Sequence, residues 1–168
     1  QDGKTISSHE VKGSNDPIDP DTLTLSFGDQ KFHSLVRDLA NGSQVKQLAV
    51  LKELQQSFRN AADIPHAVDA GVTSALMAHI PKNPENRALT LNCLSLLAKH
   101  AVGRNNLLQE KVAENLIEHL QNSSLEVRVE LMKFLHGQCM TPDGINYVMQ
   151  CGYYELLFPF VQNVKTNG

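Results

Sequence analysis

No stretch of 18 apolar residues occurs anywhere in this 168-residue chain, so no membrane-spanning helix is expected. Gln1 to Asp21 is polar and lacks the apolar centre of a secretory leader, which makes a soluble, intracellular protein the expectation. Cysteine is scarce. Cys93, Cys139 and Cys151 are odd in number and scattered, which fits free thiols in a reducing compartment and excludes a disulfide framework. Positive charge is in short supply too: 15 Lys and Arg stand against 18 Asp and Glu, and they form no stripe that could neutralise a run of phosphates. Nucleic acid is therefore not an expected partner. The chain also lacks a Gly-rich phosphate loop, a nucleophile elbow, a paired zinc-binding His motif and a calcium loop. No enzyme activity, cofactor, metal or small-molecule substrate is expected.

What the chain does have is a period. Leu35-Val36, Leu76-Met77, Leu116-Ile117 and Leu156-Leu157 recur every 40 or 41 residues. Ala70-Gly71, Glu110-Lys111 and Cys151-Gly152 keep the same step in the same phase. Self-similarity of this length is the mark of stacked helical repeats, which offer a long surface for holding other proteins.

Within each period the apolar spacing is helical. Phe32, Leu35, Val36 and Leu39 form one face, Asn41-Gly42-Ser43 interrupts, and Val45, Leu48, Leu51 and Leu54 form the next. The second unit repeats this over Val72 to Ile80 and Arg87 to His100, with Pro81 and Pro84 between them. The third does so over Val112 to Leu120 and Leu125 to Cys139. A shorter helix closes each unit at Ile64 to Asp69, Asn105 to Gln109 and Ile145 to Gln150. Gly71 and Gly152 suit the left-handed residue that ends one helix and turns sharply into another. Lys111 at the same phase predicts a different turn there.

Two long helices and one short one per unit, with Gly71 and Gly152 at the closing turn of the first and third units and Lys111 in its place in the second, resemble the armadillo family over residues 32 to 162. The expected fold is an all-α, armadillo/HEAT-like, right-handed α-solenoid of about three repeats, at about 32–71, 72–111 and 112–152, with a partial one at 153–168. Residues 1–25 are expected to form a flexible N-terminal arm, because their Gly, Ser, Asn, Asp and Pro cannot repay the entropy of ordering. Leu23, Leu25 and Phe27 alternate as a short extended lead-in before the repeat domain of 26–168. Many armadillo proteins pin an extended peptide with a ladder of Asn flanked by Trp. The matching positions here are Gln56, Leu96 and Gly137, and the chain has no Trp, so the resemblance implies the scaffold without that ladder.

Two stretches are similar to one branch of the family, the radial spoke armadillo proteins of motile cilia. They are Ser26-Phe27-Gly28 before the first helix and Lys99-His100-Ala101-Val102-Gly103-Arg104, continuing through Asn105 to Leu108. The resemblance implies a non-catalytic structural subunit packed among other spoke proteins in the ciliary axoneme. It also implies that Gly103 is where the chain leaves the long helix. Arg104 then either caps the freed carbonyls or reaches a neighbouring protein.

Other candidates are weighed on their chemistry. His79 and His119 share a repeat position, and equivalent positions match for packing reasons. His136, Cys139 and Cys151 are the only foothold for a metal or an enzyme, and they fall short of the four ligands of a structural zinc site. Cys93 lies in an apolar run and is expected in the core. Tyr153, Tyr154, Leu156, Leu157, Phe158, Phe160 and Val161 crowd the end of the chain. Either they complete the third repeat's core, or their outer face docks on a partner through anchors such as Tyr153, Tyr154, Phe158 and Phe160. A rival reading is an adaptor that binds a linear peptide in a concave groove, with Gln56, Asn92 and Arg128 as its polar contacts.

Overall fold

Apolar residues at helical spacing, punctuated by Ser, Thr, Pro and left-handed turns, produce an all-helical protein. The structure, a computed structural model, describes residues 30–80, 84–118 and 123–155, together with Leu23 and Gly28. Among them are nine α-helices and no strand: α1 (Gln30–Asn41), α2 (Gln44–Ser57), α3 (Asp63–Asp69), α4 (Val72–His79), α5 (Arg87–Ala98), α6 (Ala101–Gln109), α7 (Val112–Ile117), α8 (Leu125–Gln138) and α9 (Pro142–Gln150). The proposed arm, apart from Leu23, which packs partly buried against the core, lies outside the described residues, as do Ser26, Phe27, His119, Phe158 and Phe160.

Short polar side chains set where the helices begin. Ser43 Oγ accepts from the Lys46 amide at 3.2 Å, and Ser124 Oγ accepts from the Val127 amide at 3.4 Å. Thr141 does the same for Gly144 at 3.2 Å, with Pro142 in the first turn, where a missing N–H costs nothing. The Pro-Asp pair thus opens α9, which starts three residues before the expected Ile145.

α6 likewise starts at Ala101, ahead of the expected Asn105, and this corrects the reading of Gly103. The chain has already left α5 at Ala98, and Gly103 sits inside α6, pressed on the end of α5. A Cβ there would come within 2.3 Å of the Leu97 carbonyl oxygen. Gly144 meets the Gln138 carbonyl in the same way at the start of α9. Both glycines are buried and both are needed because one helix end folds back tightly on the next.

Lys111 is a second correction. Its φ of 52° and ψ of 39° match the left-handed turns at Gly71 (φ 76°) and Gly152 (φ 79°), so the turn into α7 is the same one that leads into α4. Hydrogen bonding explains the match. The Gly71, Lys111 and Gly152 amides donate to the Val68, Leu108 and Met149 carbonyls, closing three short helices identically.

The helices pack in rows. α1 lies against α4, α3 against α6, and α2 against α5, which in turn packs along α8. The core runs continuously through these contacts, with Leu51, Phe58, Leu76, Leu91, Leu94, Leu97, Leu116 and Phe134 fully buried. At about 25 cal/mol per Å² of apolar area, this burial dominates the stability. Polar groups stitch neighbouring helices: Thr73 Oγ1 donates to Asn106 Oδ1 at 2.6 Å, and Cys93 Sγ donates to the Leu51 carbonyl at 3.5 Å.

Candidate functional site

The row α2–α5–α8 carries one polar side chain per helix on a shared face. Gln55 Nε2 donates to Asn92 Oδ1 at 2.8 Å, and Asn92 Nδ2 donates to Glu130 Oε2 at 2.8 Å. The two steps span 37 and 38 residues, close to the sequence period. Glu130 is held in turn by Lys133, whose Nζ lies 2.6 Å from Oε1. All three members of the row are half-buried.

This row floors an open groove of about 470 Å³. Ala88 and Leu89 of α5 and Leu125 and Val129 of α8 supply apolar walls, while Glu126 adds a second carboxylate. Leu125 is 72% exposed, so the wall is a lip over the groove and not part of the core. A face with amide donors, amide and carboxylate acceptors and apolar walls can bind a polar backbone and its side chains together. It offers no nucleophile paired with a base.

Of the residues singled out from sequence, Asn92 is at the centre of this groove. Gln56 is exposed but one position away from Gln55, which is the true member of the row. Gly137 cannot belong to any ladder, because it is buried against α5 and a Cβ there would lie 2.6 Å from the Ala98 Cβ. Leu96 is half-buried and Arg128 lies outside the groove lining. Sequence reasoning misses Gln55 and Glu130, because the ladder that the family resemblance implies is Asn at a fixed count from a helix end. Their spacing about Asn92 was the available signal.

Arg104 acts on its own fold. Its Nη1 donates to the Ala98 carbonyl at 2.8 Å and the Lys99 carbonyl at 3.3 Å, capping α5. His100 joins the same junction, with Nε2 3.2 Å from the Phe58 carbonyl oxygen. The aromatic end divides. Tyr153 is corrected from surface anchor to core: it is 1% exposed and its hydroxyl donates to the Ala113 carbonyl at 2.7 Å, which pins the end of the described chain to α7. Tyr154 is 59% exposed. Tyr147, not singled out from sequence, accepts from the Glu114 amide at 3.2 Å and ties α9 to α7.

The remaining titratable candidates do not assemble. His79 is buried, His136 is exposed, and Cys139 and Cys151 are half-buried. Among the described residues no group of three or more His, Cys, Asp or Glu is placed to hold a metal. Burial pushes the Cys93 thiol up to about 12, and burial also raises Cys139 and Cys151, so none is a ready thiolate near neutral pH. Burial likewise raises Tyr147 to about 12, with the Glu114 amide opposing. No helix among the described residues is long and apolar enough to cross a membrane. No protein-family model, no curated protein and no solved structure matches this chain.

Proposed function

We propose that the chain is a non-catalytic armadillo-type scaffold, a right-handed stack of about three helical repeats, that holds a segment of another protein across α2, α5 and α8. The observation that carries this reading is the hydrogen-bonded row Gln55–Asn92–Glu130 on the floor of the groove. Its amides supply donors and acceptors for an extended backbone, and the walls at Ala88, Leu89, Leu125 and Val129 accept apolar side chains. The stacked-repeat reading is supported by the left-handed turns at Gly71, Lys111 and Gly152 and by the paired tight junctions at Gly103 and Gly144.

The setting is the ciliary axoneme, with the chain as a structural subunit among radial spoke proteins. The stretches Ser26-Phe27-Gly28 and Lys99 to Leu108 support it through their similarity to that branch of the family. Tyr154 remains a partner contact in this reading because it is exposed, and Phe158 and Phe160 are contacts proposed from sequence alone.

Selection of binding peptides from a displayed random library against the purified chain tests the groove. Asn92→Leu is expected to weaken the selected peptides at least about tenfold, the loss of one to two backbone hydrogen bonds. Gln56→Ala should leave them unchanged. Equal binding by wild type and Asn92→Leu removes the groove from the function. Fractionation of motile axonemes tests the setting separately: the chain should co-extract with the spokes, and recovery in the unattached cell fraction contradicts it.

A further inference from the structure

Exposed apolar side chains are concentrated at one end of the molecule. Seven of the nine large exposed ones among the described residues belong to α8 or to the chain after it. On α8 they form a stripe, because Leu125, Val129 and Met132 follow a four-three spacing and His136 continues it by four. Exposures of 72%, 44% and 49% for the three apolar members show that nothing within the described chain covers them. The opposite side of α8 is the one in the core, through Val127, Leu131, Phe134 and Leu135. In α5, the positions 38 residues earlier than Val129, Met132 and His136 are Leu91, Leu94 and Ala98, all 0% exposed. α8 therefore presents to solvent the flank that its counterpart buries against another helix.

The charges beside the stripe say what fits. Glu126 and Lys133 are seven residues apart, two turns, and so lie on the same side of it, while Arg128 lies on the other. When two such helices pair antiparallel, like sides meet, and each Glu126 comes opposite Lys133 of the other helix. Parallel pairing brings unlike sides together and sets Arg128 against Lys133, two cations. The same antiparallel geometry brings the two Arg128 side chains together once on the far margin, but it gains two Glu126–Lys133 pairs, so the balance of charge favours the orientation that a two-fold axis generates.

We propose that the outer flank of α8 pairs antiparallel with the same flank of a second copy of this chain, about a two-fold axis near Glu130, with Val129 and Met132 interleaved and Glu126 facing Lys133 twice. Lys133 keeps its contact with Glu130 and remains 55% exposed, so its ammonium can serve both carboxylates. Leu125, Glu126 and Val129 also line the groove, so pairing and peptide binding compete for them, whereas Met132 and Lys133 do not line it and report on this surface alone.

Light scattering and sedimentation of the whole chain across a wide concentration range test the pairing. Wild type should move from the monomer mass to twice that mass, and Met132→Glu should weaken the dimer at least about tenfold through loss of a central apolar contact. Glu126→Lys and Lys133→Glu should each weaken it, and the double variant Glu126→Lys/Lys133→Glu should recover much of the loss, because the exchanged charges again face their opposites. A monomer at every concentration overturns the proposal and leaves the α8 flank to a different protein. A dimer indifferent to Met132→Glu, or a double variant no better than the singles, overturns it by placing the contact elsewhere.

Discussion

α5 and α8 are counterparts in the same row, yet they live in different surroundings. α5 has helices on both sides: Cys93 reaches the Leu51 carbonyl on α2, and Ala98 packs on Gly137 of α8. Leu91, Leu94, Leu97 and Ala98 are all 0% exposed. α8 has α5 on one side only, and Val129 and Met132 stay open on the other. The two sequences differ accordingly. Where α5 has Ser95, 2% exposed, α8 has Lys133, and where α5 has Ala98, α8 has His136. A helix meant for full burial cannot carry those side chains unpaired. α8 is built to meet water or a partner with polar margins, while α5 is built to be core.

The largest effect that could break this comparison is in the core. Leu94→Ala is expected to cost about 3 kcal/mol, the usual range for a fully buried Leu, read as a lower urea midpoint. Met132→Ala, measured under dilute conditions, should cost about 0.5 kcal/mol or less. Equal losses would mean that the outer flank of α8 is covered in the lone chain and that the two helices are not differently placed.

A smaller effect tests whether the turns at Gly71 and Lys111 are equivalent, as the proposed repeats require. Lys111 holds a left-handed conformation that costs an L-residue roughly 1–2 kcal/mol, part of which glycine gives back as unfolded-state entropy. Lys111→Gly should therefore raise stability by about 0.5–1 kcal/mol. Gly71→Ala should lower it by about 1 kcal/mol through conformation alone, because a Cβ there meets no atom within 4 Å. A destabilising Lys111→Gly would show that this turn is not the equivalent of the one at Gly71.

Much of this helical arrangement is legible in the sequence. Apolar spacing located the long helices, and the 40-residue phase fell on three left-handed turns, at Gly71, Lys111 and Gly152. Two local errors have one origin. Gly103 and Lys111 were interpreted by what those residue types usually do, whereas tertiary closeness decided the first and the hydrogen bond from Lys111 to Leu108 decided the second. Tyr153 was misplaced because a run of aromatics does not reveal which member points inward. The Ala113 carbonyl that receives its hydroxyl lies 40 residues away. The groove was half legible: Asn92 was found, but Gln55 and Glu130 become its partners only once α2, α5 and α8 lie side by side.

The side-chain amide resonances of Gln55 and Asn92, followed by NMR as a peptide selected against the chain is added, test the proposed function most directly. Both donate within the polar row now, and a bound backbone must compete with or extend those hydrogen bonds. They should shift together and saturate with the binding curve. If they stay fixed while resonances around Tyr154 or α9 move, the peptide is held elsewhere and the α2–α5–α8 groove is not the binding site.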